Sequence, residues 1–132
     1  MDIMVTFPGG ARVDAQVGQH VVRTDQPPRG GGEDSAPTPF SMFLASIATC
    51  AGIYVLGFCK QRGLPTDGVT LVQRIAVDPG TGMVGQVGID IQVPEGFPEK
   101  YHEALVRAAS QCAVKKHLEH PPTFEVRTVV AA

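Results

Sequence analysis

The sequence has no excess of either charge, no cysteine framework and none of the short motifs that mark a bound cofactor. Eleven Lys and Arg stand against 13 Asp and Glu, a net charge of −2 over 132 residues. Nucleic acid and acidic surfaces are met by strongly basic chains, so neither is an expected partner. Three cysteines are an odd number and too few for a disulfide scaffold. No GxGxxG, P-loop, GxSxG or HExxH pattern occurs. The first ten residues, MDIMVTFPGG, lack the basic region and apolar run of a signal peptide, and the expected location is the cytoplasm.

The most telling scarcity is local. Between Pro39 and Cys59 there is no charged residue. Thr38 and Pro39 form a helix start, since a hydroxyl caps and proline at the first helical position loses no needed N–H. Lys60, Gln61, Arg62 and then Gly63 form a helix stop. About 20 apolar residues suffice to cross a membrane. Ser41, Ser46, Thr49, Gly52 and Gly57 dilute this run, and the rest of the chain reads as soluble amphipathic elements. The expected form is a helix buried all round, shared across a dimer.

At this length one domain, residues 1–132, is expected. Alternation predicts a β-meander over the first 25 residues, broken at Pro8-Gly9-Gly10 and Gly18-Gln19. Residues 26–37, QPPRGGGEDSAP, read as a loop without regular structure. Beyond the long helix, Val69–Val77 and Met83–Val93 form a hairpin around Asp78-Pro79-Gly80-Thr81-Gly82. Pro98 opens a helix with Tyr101, Ala104, Leu105, Ala108 and Cys112 along one face. A short helix, Ala113–Glu119, and a last strand, Phe124–Val130, complete an α+β chain.

Chemistry centres on the thiols. Cys50 lies in the middle of the long helix and Cys112 where one later helix ends and the next begins. Thiols on facing helices can form a disulfide when their Cα atoms approach within about 7 Å. Each is equally readable as a small buried hydrophobe. Backbone N–H donors at the helix start are expected to favour a thiolate at Cys112. Cys50, remote from its own helix ends, would need a cation, for which arginine is suited. Cys59 is nine residues further on and points to the opposite face. Cys112, His117 and His120 do not have the spacing of a zinc finger or ribbon, and no metal is expected.

Two segments, GGEDSAPTPFSMFLASIATC (residues 31–50) and QCAVKKHL (111–118), resemble the OsmC/Ohr family of thiol peroxidases. The resemblance covers nearly the whole chain in element order. It implies an OsmC-like α+β fold in an intertwined homodimer, and a stress-response enzyme that reduces organic hydroperoxides without a cofactor. It implies that Cys50 is the peroxidatic nucleophile and that Cys112 resolves its sulfenic acid as a disulfide, which an external dithiol reopens. It also implies a thiolate-holding arginine from the N-terminal strands; Arg12 matches best by position and Arg23 second. Peroxidase members carry a glutamate just after the proline that opens the long helix, where this chain has Phe40 and Ser41. Glu33 and Asp34 in the preceding loop are the substitute carboxylates. The second cysteine is usually followed by proline, and here by Ala113. The alternative function is a non-enzymatic member that binds a small apolar ligand or senses redox state.

Overall fold

The computed structural model describes residues 1–131. The described chain forms two compact units, Met1–Ser46 and the residues from Ile47 onward. Three strands open the first unit: β1 (Ile3–Gly9), β2 (Arg12–Val17) and β3 (His20–Thr24). They pair antiparallel in the order β1-β2-β3, the expected meander, with Val5 opposite Ala15 and Ala15 opposite Val22. Gly10 and Gly18 take φ of +56° and +59° at the two turns, where a side chain would be strained.

The loop after β3 is more ordered than its composition suggests. Pro28–Gly30 forms one 3-10 turn, begun by the preset φ of proline and ended by Gly31 at φ +88°. Asp25 organises the rest. Its carboxylate accepts N–H bonds from Gln26 (2.8 Å), Ser35 (3.0 Å) and Glu33 (3.3 Å), and the Ser35 hydroxyl donates to it at 2.5 Å. A Cβ on Gly32 would overlap the carbonyl oxygen of Gln26, so the loop closes over a position that only glycine can occupy. The Ser35 hydroxyl and the surrounding N–H groups hold the Asp25 pKa down at about 2.

Helix α1 (Pro39–Gln61) begins in the first unit and ends in the second. The Ser41 N–H donates to the Thr38 hydroxyl at 3.1 Å, the expected cap. At the other end Gly63 has φ +66°, and the Leu64 N–H reaches back to the Cys59 carbonyl at 2.9 Å. The expectation of burial on every face does not hold. Ile47, Ala51, Val55, Phe58 and Cys59 are buried, whereas Phe40 and Ile53 are more than half exposed. One chain supplies cover for one stripe of the helix. By length and composition α1 could also cross a membrane, a property it shares with core helices of soluble proteins.

The second unit adds the hairpin β4 (Thr70–Val77) and β5 (Val84–Gln92), then α2 (His102–Ala109) preceded by a 3-10 turn, Glu99–Tyr101, and α3 (Ala113–Glu119). The hairpin register sets Leu71 opposite Ile91 and Ile75 opposite Val87, so one face of it is apolar. Val55, Phe58, Cys59 and Leu105 form the core, with Leu71, Ile91, Phe97, Tyr101, Ala104 and Ala108 packed around it. Arg62 closes its edge, with Cζ 3.7 Å from the Phe58 ring centroid. The expected strand Phe124–Val130 is not formed: residues 121–131 have no regular structure. Their alternating pattern suits a strand, but a strand needs a partner for its backbone hydrogen bonds, and Phe124 and Val126 are exposed.

Two stability effects follow. Leu105 is 2% exposed at the centre of this core, so Leu105→Ala is expected to cost about 2–5 kcal/mol in denaturant unfolding. Asp25 has a folded pKa of about 2, below its ordinary 3.8. Its contribution to stability is therefore full above the ordinary value and is lost as pH falls through the folded one. Asp25→Asn is expected to lower the melting temperature at neutral pH. That deficit should disappear between pH ~4 and ~2, as followed by circular dichroism melts.

Candidate active site

Helix α1 offers Cys50 no donors of its own, because mid-helix N–H groups are spent on the helix. The residues that reach it come from the junction of α2 and α3. There Cys112 takes an extended conformation (φ −49°, ψ 125°) and caps α3, its sulfur accepting the Lys115 N–H at 3.5 Å. The same sulfur lies 3.9 Å from the carbonyl oxygen of Ile47, three residues before Cys50 on α1. The start of α3 is thereby set against the turn of α1 that carries Cys50. The Cys112 side chain helps to lower the Cys50 pKa and the Cys50 side chain helps to raise that of Cys112, so each sulfur lies within the other's influence. The two thiols singled out in the sequence are therefore brought together, and both are in the reduced form.

The electrostatics of the two sulfurs differ. The Cys50 pKa is lowered by the Val114 N–H, then by the Cys112 side chain and the Ala113 N–H, against an opposing push from burial. The Cys112 pKa is raised, chiefly by burial and also by its bond to Cys50, while the Lys115 and Val114 N–H groups pull it down. The expectation that the α3 donors favour a thiolate at Cys112 does not hold, since burial outweighs them there. The first turn of α3 instead supplies donors to both sulfurs. Cys112, almost fully enclosed, keeps its proton more firmly. The N–H groups of Ala113 and Val114 are functional groups that the sequence reading missed for Cys50. The pattern Cys-Ala-Val opening a short helix signals free donors, but which sulfur they meet depends on how α3 packs.

The remaining candidates lie in the first unit. Arg12 is ion-paired with Asp14 at 2.8 Å, and with Gly9, Gly10, Asp25, Gly31 and Glu33 it lines a polar cavity of about 230 Å³. Arg23 is exposed on β3, opposite Asp14 in the sheet register. The Glu33 N–H serves the Asp25 carboxylate, and Asp34 takes φ +52° beside it. In the second unit Cys59 is fully buried in the core, and burial raises its pKa. That matches the opposite-face reading. His117 turns its Nδ1 to the Ala113 carbonyl oxygen at 2.7 Å. Among the described residues, no three His, Cys, Asp or Glu side chains gather as a metal site.

Cys112 also lines an apolar cavity of about 330 Å³, walled by Ile47, Ala51, Val87, Ile89 and Leu118, with Lys115 and Glu119 among its lining. Those two side chains lie 3.6 Å apart as an exposed ion pair. The buried Cys112 thiol thus lies between the α1 turn that carries Cys50 and a greasy hollow of small-molecule size. An arrangement of one half-exposed sulfur with a lowered pKa beside one enclosed sulfur suits two-electron thiol chemistry.

Comparison with known proteins agrees on the fold. An osmotic-stress-induced and detoxification response protein of Psychrobacter arcticus superposes with a TM-score of 0.71 at 23% identity, over 86% of this chain and 85% of that one. A protein of Aquifex aeolicus gives 0.69 at 15% identity, over 91% and 87%. An organic hydroperoxide resistance protein, OsmC, of Legionella pneumophila gives 0.56 at 17% identity, over 89% and 87%. No curated protein matches the sequence. The family model for OsmC-like proteins matches residues 31–127, which include both thiols, the long helix and the hairpin. The mixed α+β fold, the two antiparallel sheets and this match together make the chain a member of the OsmC-like family.

Proposed function

We propose that the protein reduces organic hydroperoxides through Cys50 and Cys112. The observation that carries this reading is the placement of the buried Cys112 sulfur 3.9 Å from the Ile47 carbonyl oxygen, against the turn of α1 that bears the half-buried Cys50, whose pKa is lowered while that of Cys112 is raised. The Cys50 thiolate attacks the terminal oxygen of the hydroperoxide. The S–O bond forms as the O–O bond breaks, and the alkoxide leaves and takes up a proton as alcohol. Cys50, oxidised by two electrons, becomes a sulfenic acid. Cys112 then loses its proton and attacks the Cys50 sulfur. Hydroxide leaves as water, and the disulfide remains. An external dithiol reduces it and is itself oxidised to a disulfide.

In this reading Arg12, or Arg23, is the cation that supports the thiolate, with Glu33 or Asp34 as its carboxylate. The apolar cavity beside Cys112 favours a second reading, a non-enzymatic member that holds a small apolar ligand. The working unit is a homodimer in the cytoplasm. Its support is the apolar surface that one chain leaves open, including Phe40, Ile53, Phe124 and Val126.

The expected outcome is loss of cumene hydroperoxide with dithiothreitol in the wild type, reduced in Cys50→Ser to the rate of dithiothreitol alone. Mass spectrometry after one equivalent of peroxide should show a Cys50–Cys112 disulfide in the wild type and a trapped sulfenic acid in Cys112→Ser. Turnover no faster than in Cys50→Ser would favour the ligand-binding reading. Light scattering on the reduced protein should give twice the mass of one chain.

A further inference from the structure

Resting on the reading in which Arg12 or Arg23 supports the Cys50 thiolate, we propose that Asp14 is the positioning residue of that cation. The Arg12 Nη2 group donates to Asp14 Oδ2 at 2.8 Å. Both residues lie on β2 two positions apart, so they share one face of the sheet. The register sets Arg23 of β3 directly opposite Asp14, on that same face. Both arginines thus stand on the sheet face that carries one carboxylate. Thr6, the partner of Asp14 on β1, is neutral, so β1 brings no competing charge to this position.

Asp14 has capacity left. Its side chain is 13% exposed, and its second oxygen, Oδ1, is buried with no hydrogen-bond partner among the described residues. A carboxylate accepts at both oxygens, and a buried oxygen left unbonded is costly. Oδ1 is therefore the open acceptor for a further guanidinium N–H, from Arg12 in a two-pronged grip or from Arg23 across the sheet. The loop carboxylates are placed differently. Among the described residues neither Glu33 nor Asp34 forms an ion pair. Glu33 shares a polar cavity of about 230 Å³ with Arg12 and with Asp25, whose carboxylate is held by four donors of the loop. The strand ladder fixes the Arg12 backbone, opposite Gly9 at the turn. Asp14 fixes the long side chain, whose rotamer freedom the ladder leaves untouched.

The sign of one shift separates positioning from plain charge. Asp14→Asn keeps the side-chain shape and removes a negative charge. By charge alone, removing an anion favours a thiolate and lowers the pH midpoint of Cys50 alkylation by iodoacetamide. Loss of a positioning carboxylate frees the guanidinium and raises that midpoint. The expected result is a rise, and a midpoint one pH unit higher slows alkylation at pH 7 about tenfold. The reagent labels Cys50 selectively, because Cys59 and Cys112 are buried. Arg12→Ala and Arg23→Ala identify the acting arginine, whose loss also raises the midpoint. Once that arginine is gone, adding Asp14→Asn is expected to bring no further rise, because nothing is left to position. Circular dichroism establishes the folding of each variant. A midpoint unchanged or lowered in Asp14→Asn, or rises that add in full in the double variant, would overturn the proposal.

A measurement on the wild type guards against a misfolded variant. Nitrogen NMR at neutral pH should resolve separate Nη signals for the acting arginine, because a held guanidinium rotates slowly. The signals are assigned by their loss when that arginine is replaced by lysine. A single averaged signal would also overturn the proposal. Neither assay uses peroxide. Absence of hydroperoxide turnover with the midpoint shifts intact would remove the peroxidase reading and leave this inference standing. Turnover with the midpoint unmoved in Asp14→Asn would remove this inference alone. A midpoint that ignores both arginine variants would remove the assigned cation and this inference together.

Discussion

A thiol in the middle of a helix has no free backbone donor beside it, and everything at this site answers that constraint. The N–H groups around Cys50 already serve carbonyl oxygens of α1. Stabilising an anion there requires donors from a different element, delivered at hydrogen-bond distance. The first turn of α3 delivers them, since the early N–H groups of any helix lack partners within it. Cys112 stands at the junction and does the joining: its sulfur caps α3 and meets the Ile47 carbonyl on the turn of α1 that carries Cys50. The core beneath holds the junction in place. Leu105 of α2 packs with Val55, Phe58 and Cys59 of α1, and Tyr101 meets the Phe58 ring edge-on at 5.7 Å between centroids. A shift of α2 along α1 would carry Cys112 with it and undo its contact with the Ile47 carbonyl.

The long glycine-rich loop shows the same economy. Its composition resists regular structure, yet one buried carboxylate gathers four donors from the loop and fixes its path. Asp25 needs no lysine or arginine partner for this. Backbone N–H groups and one hydroxyl suffice to keep it ionised, much as N–H groups act on Cys50. In both places the chain uses oriented peptide dipoles to stabilise a negative charge. Such groups neither titrate nor lose side-chain rotamer freedom on ordering.

Much of this was legible in the sequence, and the exceptions share a cause. Pro39, Gly63 and the Asp78–Gly82 turn punctuate the chain strongly, so α1 and the β4–β5 hairpin fall within a residue or two of expectation. Ala113–Glu119 was legible because Cys112 and His120-Pro121 bound it. Cys50 and Cys112 could be paired because the helical spacing of Tyr101, Ala104, Leu105 and Ala108, continued past the end of α2 at Ala109, puts Cys112 on the same side. Local pattern could not reveal which sulfur the α3 donors would favour, since that depends on how two helices approach. It also could not form the strand at Phe124–Val130. Alternation there specifies a strand with one apolar face, while the partner edge lies outside what local sequence encodes. The uncovered face of α1 is the same case, with Ile53 59% exposed on a helix whose composition calls for burial.

In the proposed cycle Cys50 is the sulfur that reacts and Cys112 the one that resolves it, and the groups that lower the Cys50 pKa act only while Cys50 is reduced. Once the proposed disulfide forms, they have no charge to stabilise. Forming the disulfide also removes the sulfenic acid, the form that a second peroxide would carry on to sulfinic acid, beyond the reach of a simple dithiol. Until the disulfide is reopened, the site is inert. Reduction restores the nucleophile. The proposed cation, Arg12 or Arg23, keeps its charge throughout, so what switches the site off in this cycle is the loss of the sulfur's own charge when the disulfide forms.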